Sequence, residues 1–232
     1  MNILLTGASR GIGAATLDHL RAAGHRVVGH STAGDNGLVA ADFTDPAAPR
    51  ALWDAGLAEL GTIDVLVNNA GVFEGIADDA DDDAWHAAWG RTMTINLQAS
   101  ADLCRLALAH FRGNGGGRIV NVASRAAYRG DSPQHWHYAA SKAGMIAMTK
   151  SIARGYAREN VLAFAVCPGF TMTGMAADYL DSRGGDKLLA DIPLGRVADA
   201  SEIATTIRWL ACDAPPSATG AVIDVNGASY VR

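Results

Sequence analysis

Short apolar segments alternate along this chain with longer segments in which apolar residues recur at helical spacing. The short segments are nearly all apolar, as strands buried on both faces of a parallel sheet are. The predicted strands are residues 3–5, 26–30, 38–40, 63–67, 118–122, 161–166 and 221–225. The predicted helices are residues 14–23, 46–60, 85–110, 136–158, 174–190 and 198–212. This alternation predicts an α/β fold: a doubly wound parallel sheet of about seven strands with helices on both faces.

One connection in this pattern is too short to contain a helix. Residues 31–37 separate the second predicted strand from the third and are rich in Gly, Ser, Thr, Asp and Asn. A crossover between parallel strands usually needs about a dozen residues or more. We therefore predict that the crossover helix between strands 2 and 3 is missing or very short.

Composition and charge narrow the class of protein. The chain has 232 residues, 49% of them hydrophobic, which suits a single domain over residues 1–232. A net charge of −5 and a pI of about 5.7 argue against a nucleic-acid partner or an anionic membrane surface. No apolar run reaches the ~20 residues of a membrane span, and the N-terminus enters a strand without a signal peptide. Three widely separated cysteines predict a reduced compartment, so we expect a cytoplasmic protein.

Two groups of residues could bind a metal, but another interpretation is better for each. Residues 78–83 are an acidic run, and acids collect in the first turn of a helix because its dipole favours them. His135 and His137 flank a tryptophan, but no third ligand at a clear spacing accompanies them. We expect a helix start at the acidic run, a substrate contact or plain surface at the histidines, and no metal site.

A glycine-rich turn follows the first predicted strand. Residues 6–13 have glycines at 7, 11 and 13 and lead into the first predicted helix. Strand, glycine-rich turn and helix together are typical of a dinucleotide site, where the helix N-terminus binds a pyrophosphate. The spacing Gly-x-x-x-Gly-x-Gly differs from the commoner fingerprint, and a purely structural turn is the alternative.

Other polar and glycine residues also follow predicted strands. They are residues 68–71, Ser124, and Pro168 with Gly169. Because ligands bind beyond the carboxyl ends of parallel strands, we expect these residues to meet the glycine-rich turn along one edge of the sheet.

Tyr138 and Lys142 lie four residues apart in a predicted helix, so their side chains share one face. A phenol ordinarily ionises near pH ~10, and a nearby ammonium lowers that pKa. The pair could therefore act as a general acid and base. The alternative is an ordinary helix with an exposed lysine and a half-buried tyrosine.

Five motifs in order resemble the short-chain dehydrogenase/reductase family. They are TGASRGIG at 6–13, NNAG at 68–71, Ser124, YAASK at 138–142, and Pro168-Gly169. Within that family the first motif and residues 195–220 most resemble the 3-oxoacyl-[acyl-carrier-protein] reductase-like branch. The resemblance implies a Rossmann fold, a nicotinamide cofactor, and interconversion of a ketone and a secondary alcohol.

The resemblance also implies roles for single residues. Tyr138 matches the proton donor, Lys142 the residue that lowers the tyrosine pKa and binds the nicotinamide ribose, Ser124 the hydroxyl that orients the carbonyl, and Asn96 the holder of a water in a proton relay. With Tyr138 and Lys142, the residues implied to bind the cofactor are Gly7, Ser9, Arg10, Gly11, Ile12, Gly13, Ser31, Asp42, Phe43, Asn69, Ala70, Gly71, Pro168, Gly169, Thr171 and Thr173.

Cofactor choice depends on the end of the second strand. NAD use requires a carboxylate there, and the aligned position is Ser31, flanked by His30 and Thr32. Asp35 lies four residues further on and could fold back, which is the main objection to NADP(H). Arg10 could bind the 2′-phosphate of NADP(H), or it could be a solvated loop arginine. We predict that NADP(H) is preferred and that NAD(H) is possible.

The chain departs from the family pattern in three places. They are the short connection at 31–37, the bulky polar segment 125–137, which should shape the substrate site, and residues 225–228, where we expect altered subunit packing. The predicted function is an NADP(H)-dependent oxidoreductase of a small ketone or alcohol. The alternatives are an NAD-dependent alcohol dehydrogenase and a non-catalytic nucleotide-binding regulator. The family assembles through two long helices, here 84–110 and 136–158, so a homotetramer is expected, with a homodimer as the alternative.

Overall fold

A computed structural model describes residues 1–172 and 189–232 of the chain. Most of the predicted helix 174–190, and Thr173, lie outside these residues. The strands are β1 (Asn2–Leu5), β2 (Arg26–Ser31), β3 (Val39–Ala40), β4 (Val65–Asn68), β5 (Gly117–Val122), β6 (Val161–Pro168), β7 (Thr171–Met172), β8 (Ala198–Asp199) and β9 (Val222–Val225). The helices are α1 (Gly11–Ala22), α2 (Ala48–Leu60), α3 (Asp82–Met93), α4 (Ala99–Gly113), α5 (Ala126–Arg129), α6 (Trp136–Tyr156) and α7 (Ala200–Arg208).

The described residues form a seven-stranded parallel sheet in the order β3-β2-β1-β4-β5-β6-β9. β7 and β8 form a separate parallel pair. The chain builds outward from β1 to β3 on one side, then returns to place β4 on the other side of β1. Such a reversal leaves a crevice at the carboxyl ends of β1 and β4, which is where doubly wound sheets bind ligands. The predicted α/β architecture is confirmed.

Helices cover both faces because successive side chains of a strand point to opposite faces. In β1, Leu4 packs with α2, α4 and α6, whereas Ile3 and Leu5 pack with α1 and α7. All three of these side chains are completely buried. Burying a side chain of this size contributes about 1.5–3 kcal/mol, so the two apolar layers fix the register of the sheet.

The connection between β2 and β3 contains a single 3₁₀ turn at Asp35–Gly37. His30 and Ser31 nevertheless pair in parallel with Val39 and Ala40. The turn is possible because Gly34 adopts a φ of +78°, and a Cβ there would approach the Ala40 side chain to 2.7 Å. The prediction that the crossover helix is missing is confirmed.

Side chains cap the first turns of two helices, α3 and α7. Asp81 accepts a hydrogen bond of 2.8 Å from the Ala84 N–H, and Asp82 and Asp83 occupy the first turn of α3. The acidic run therefore begins a helix, as predicted. At α7, Asp199 and Glu202 form a capping box. Arg196 and the Asp199 N–H bind the Glu202 carboxylate and lower its pKa to about 2.

Several predicted bounds differ from the structure, and three of the differences have a clear structural cause. The helix predicted over 85–110 is interrupted at Thr94–Gln98 by a wider π-helical turn, in which the Ala99 N–H binds the Thr94 carbonyl, five residues back. A similar turn, Trp209–Asp213, ends the last predicted helix. Strand β6 continues to Pro168 rather than ending at residue 166, since the Pro168 carbonyl still accepts from the Arg125 N–H at 3.0 Å.

The described residues contain no helix that is both long and apolar enough to cross a membrane. In the same part of the chain, no group of three or more His, Cys, Asp or Glu side chains is arranged to hold a metal ion. Cys104, Cys167 and Cys212 are all free thiols.

Candidate active site

A cleft of about 890 Å³ opens at the carboxyl ends of the central strands. Its volume is in the upper part of the range of roughly 300–1,000 Å³ found for small-molecule sites. Eighteen of the residues predicted for the site line it: Gly7, Ser9, Arg10, Gly11, Ile12, Gly13, Ser31, Asp42, Phe43, Asn69, Ala70, Gly71, Ser124, Tyr138, Lys142, Pro168, Gly169 and Thr171. Asn96 lies beneath the cleft rather than in its wall, and Thr173 is outside the described residues.

The three glycines of the glycine-rich turn cannot be replaced by larger residues without strain or collision. Gly7 and Gly11 have φ angles of +67° and +54°, which other residues rarely adopt. A Cβ on Gly13 would lie 1.9 Å from the Gly7 oxygen and 2.6 Å from the Asn69 amide nitrogen. Glycine is therefore required at 13 for packing and at 7 and 11 for backbone conformation.

The loop 69–71 and the glycine-rich turn form one unit. The Thr6 hydroxyl accepts hydrogen bonds of 2.9 Å from the N–H groups of both Asn69 and Ala70. The Asn69 amide donates to the carbonyls of Thr6 and Gly7 at 3.0 Å each. These bonds join the ends of β1 and β4 and hold the turn in a single conformation.

His30 connects the same turn to the third strand. The Gly7 N–H donates to His30 Nδ1 at 3.2 Å, so Nε2 carries the proton and donates to the Ala41 carbonyl at 2.8 Å. The ring is buried and stacks on Phe43 with centroids 4.5 Å apart. Burial lowers the pKa of His30, so the ring stays neutral. Sequence reasoning did not identify this contact, and its only signal was a histidine in a predicted strand.

The end of β2 presents hydroxyl groups to the cleft. Ser31 and Thr32 line it, and the Ser31 hydroxyl accepts from the Gly34 N–H at 2.9 Å. Arg10 lines the same end, at the start of α1. Asp42 accepts a hydrogen bond of 2.9 Å from the Thr44 N–H, which lowers the pKa of its carboxyl. Asp35, in the 3₁₀ turn, is not among the lining residues.

Tyr138 and Lys142 share one face of α6, as predicted from their spacing. The Lys142 ammonium lies 5.9 Å from the centre of the Tyr138 ring and donates to the Val122 carbonyl at 2.8 Å. Burial lowers the pKa of Lys142 to about 8. Burial also raises the pKa of Tyr138 to about 12, although a hydrogen bond with Ser124 acts in the opposite direction.

The tyrosine pKa is therefore raised, and the expected lowering by Lys142 is wrong for this structure. The charge of Lys142 alone would lower it, but removal from water drives both groups towards their neutral forms. A neutral phenol is the form that can donate a proton.

Asn96 is completely buried inside the π-helical turn. Its amide accepts from the Val72 N–H at 2.8 Å and donates to the Val72 carbonyl at 3.0 Å and to Ser141 at 3.3 Å. A Cβ on Gly71 would lie 3.2 Å from the Asn96 amide oxygen and 3.5 Å from Lys142 Nζ, so these residues pack closely. Both amide hydrogens of Asn96 are thus used within the protein, so a relay water would have to bind the second lone pair of the amide oxygen or the main chain. Wide turns of this kind are frequent at functional sites.

The substrate side of the cleft contains two phenylalanines that the sequence analysis did not single out, Phe73 and Phe170. Phe73 stacks on His135 with ring centres 3.9 Å apart and presents an edge to Tyr138 at 4.8 Å. Arg125 lies over the Phe170 ring, 4.9 Å from its centre. Arg125 and Asp131 belong to the segment predicted to shape this side, and both line the cleft.

Known proteins match nearly the whole chain. A family model described as enoyl-(acyl carrier protein) reductase matches residues 7–228. The chain is 33% identical to the 3-oxoacyl-[acyl-carrier-protein] reductase of Escherichia coli, over 98% of this chain and 96% of that protein. It is 32% identical to the acetoacetyl-CoA reductase of Rhizobium meliloti, over 98% and 97%. It is 31% identical to a short-chain type dehydrogenase/reductase of Sinorhizobium fredii, over 99% and 97%.

The chain belongs to the short-chain dehydrogenase/reductase family. Membership of this family makes it an oxidoreductase that acts on CH–OH and ketone groups and implies a nicotinamide cofactor.

The cleft fits a nicotinamide dinucleotide. The turn at Gly7, Gly11 and Gly13 permits the close backbone approach that a pyrophosphate needs, at the N-terminus of α1. From there the lining residues run one way to Ser31 and Asp42, and the other way to Tyr138 and Lys142. The short-chain dehydrogenase/reductase assignment and the shape of the cradle thus agree.

Proposed function

We propose that this protein reduces a ketone to a secondary alcohol with NADPH, in the manner of a 3-oxoacyl reductase, and that residues 1–232 act as one catalytic domain. The observation that carries the proposal is the meeting of Ser124, Tyr138 and Lys142 at one end of a cleft that a glycine-rich turn closes at the other. The names of the relatives support a 3-oxoacyl substrate.

The chemistry assigned to the chain's own residues is proton supply and orientation. When bound, the cofactor supplies the hydride. The Ser124 hydroxyl orients the carbonyl oxygen, and the neutral phenol of Tyr138 gives that oxygen its proton. Lys142, with a pKa of about 8, is mostly protonated at pH 7 and carries positive charge beside the phenol. Phe73 limits water on the open side of Tyr138.

The preference for NADP(H) rests on the residues at the adenosine end. Arg10, Ser31 and Thr32 line the cleft there and can bind a 2′-phosphate, whereas Asp35 is outside the lining. This placement of Asp35 weakens the main objection to NADP(H). NAD(H) remains the alternative cofactor.

A homotetramer, with a homodimer as the alternative, is proposed for the assembly. On α6, Ala140 and Ala147 are exposed in the single chain, on the side opposite to the buried Met145 and Ile152. Small apolar residues on a long helix suit close packing against a second copy. Three free cysteines favour a reduced compartment, so we propose a cytoplasmic location.

The decisive experiment is a substrate panel. Loss of NADPH absorbance is followed with acetoacetyl thioesters, simple ketones and an enoyl thioester, the last because the matching family model is described as an enoyl reductase. Turnover of ketones but not of the enoyl compound is expected. Binding of NADPH without turnover of any ketone would favour the nucleotide-binding regulator instead.

Cofactor choice is tested with Arg10→Ala. Dissociation constants for NADPH and NADH are measured, with Arg50→Ala as the control because Arg50 is exposed on α2 and pairs with Asp54. Losing a charged donor should weaken NADPH binding about 10-fold or more and leave NADH binding nearly unchanged. Equal losses for both cofactors, or tighter NADH binding by the wild type, would contradict the preference.

A further inference from the structure

Arg125 has no part in the chemistry described above, although it directly follows Ser124 and lines the cleft. Its side chain is only 10% exposed. Removing a guanidinium from water is costly unless acceptors replace the lost water. We therefore ask how many hydrogen-bond acceptors the described residues supply to the Arg125 guanidinium.

Its acceptors within the described residues are few. The nearest carboxylate oxygen is Asp191 Oδ2, at 3.5 Å, and the same oxygen binds Arg129 at 2.6 Å. Asp191 is thus shared between two arginines and binds mainly Arg129. A guanidinium has five N–H donors, and this long contact serves one of them. The group of two arginines and one carboxylate keeps one positive charge.

Among the described residues, the other carboxylates that line the cleft make no salt bridge with Arg125, although Asp131 attracts its charge from a greater distance. Glu74 is paired with Arg91 at 3.2 Å. Asp131 is exposed at the rim, and its carboxylate accepts from the Ser132 N–H at 2.8 Å. Phe170 covers one face of the Arg125 guanidinium, which holds the group in place and leaves its N–H edge for a ligand.

We infer that Arg125 binds a carboxylate carried by the substrate itself, so that an oxo acid binds more tightly than its neutral ester. This inference rests on the proposed ketone reduction and narrows its substrate class. Ser124 and Arg125 are neighbours in the chain and both line the cleft, so the anion should belong to the same molecule as the carbonyl that Ser124 orients.

The test compares two ligands that differ in one charge. Acetoacetate and methyl acetoacetate share the same ketone, but only the first has a free carboxylate. Their binding is measured on the NADPH-loaded Tyr138→Phe protein, in which turnover should be at least ~100-fold slower. A charge-assisted pair should make the acid bind about 10- to 100-fold tighter than the ester.

Variants at Arg125 then identify the group responsible. Arg125→Gln should abolish the preference for the acid while leaving ester binding unchanged, and Arg125→Lys should keep part of it. Arg129→Gln is the matched control, since Arg129 binds the same Asp191 oxygen but does not line the cleft. It should keep the full preference.

Equal binding of acid and ester by the parent protein would overturn the inference, as would equal losses for both ligands in Arg125→Gln. If Arg125→Gln does not fold, the acid-to-ester ratio of the parent and of Arg125→Lys decides. Turnover of the wild type is followed separately with both compounds. Absence of any reduction would count against the proposed function, and the binding ratio would still judge the role of Arg125.

Discussion

The two sides of the cleft are held in place by different means. On the side of β1 and β4, main-chain groups of the glycine-rich turn and of loop 69–71 bond to Thr6 and Asn69, and Gly13 leaves no space for a methyl group. On the side of β5 and β6, long side chains make the contacts, as Phe73 does with His135 and Arg125 with Phe170. The first side is set by backbone geometry and the second by side-chain packing. Substitutions on the two sides should therefore fail in different ways.

The largest effect is expected at Tyr138, on the second side. Tyr138→Phe removes the hydroxyl that donates the proton but keeps the ring that packs against Phe73. Turnover should fall at least ~100-fold, as for loss of a general acid, while NADPH binding stays nearly unchanged. Steady-state rates and a cofactor titration measure the two quantities. Full turnover in this variant would remove Tyr138 from the mechanism.

On the first side, Gly13→Ala should affect binding rather than chemistry. Its Cβ would collide with the Gly7 carbonyl and the Asn69 amide, and overpacking of this kind costs about 1–3 kcal/mol or more. We expect NADPH affinity to fall roughly 10- to 100-fold, with a lower Tm. Gly90→Ala is the control because nothing lies within 4 Å of its added methyl group in α3, so its Tm should stay the same or rise. Equal changes of Tm and NADPH affinity in the two variants would show that the neighbours of residue 13 move and relieve the collision.

A smaller effect, dependent on pH, is expected at His30. Its pKa in the folded protein is lowered from the ordinary 6.5, so the unfolded chain binds this proton more readily. The stability contributed by neutral His30 is present above pH 6.5 and declines as the pH falls below it. His30→Gln should reduce this dependence, which thermal melts of both proteins between pH 5 and 8 would measure. If Tm depended on pH in the same way in both proteins, groups other than His30 would be responsible for the dependence.

The smallest effect is expected on stability at Lys142, where stability again rises with pH, as it does for His30. The pKa of Lys142 is lowered to about 8, so burial of the charge destabilises the fold at pH 7, and stability should rise between about pH 8 and 10.5. Lys142→Met should raise the free energy of unfolding at pH 7 by about 1 kcal/mol, after allowance for the lost bond to Val122. A Tm increase of roughly 2–4 °C is expected at pH 7. A Tm that falls would show that the hydrogen bond outweighs the buried charge.

The difference between the two sides also explains what the sequence could predict. Glycine spacing records backbone geometry directly, so Gly7, Gly11 and Gly13 were identifiable from their order. Tyr138 and Lys142 were identifiable because four residues make one helical turn. The same reasoning predicted the sheet and the absence of a helix at 31–37.

Contacts between distant side chains could not be predicted in this way. The position of the Arg125 side chain depends on Phe170 and Asp191, which lie far along the chain and contact it only after folding. The π-helical turn at Asn96 was missed because one extra residue in a turn leaves the apolar pattern of 85–110 almost unchanged. The pKa of Tyr138 was misjudged since burial is a property of the folded structure.

The shortened connection between β2 and β3 has a consequence for the outer rim of the sheet. β3 is the last strand on that side and is only two residues long. A long, flat terminal strand offers unpaired amide and carbonyl groups on which another chain can add a strand and start aggregation. Two residues, followed by a turn away from the sheet, offer too few such groups to hold a neighbour. The connection that lacks a helix thereby leaves a rim that resists unwanted polymerisation when the protein is concentrated.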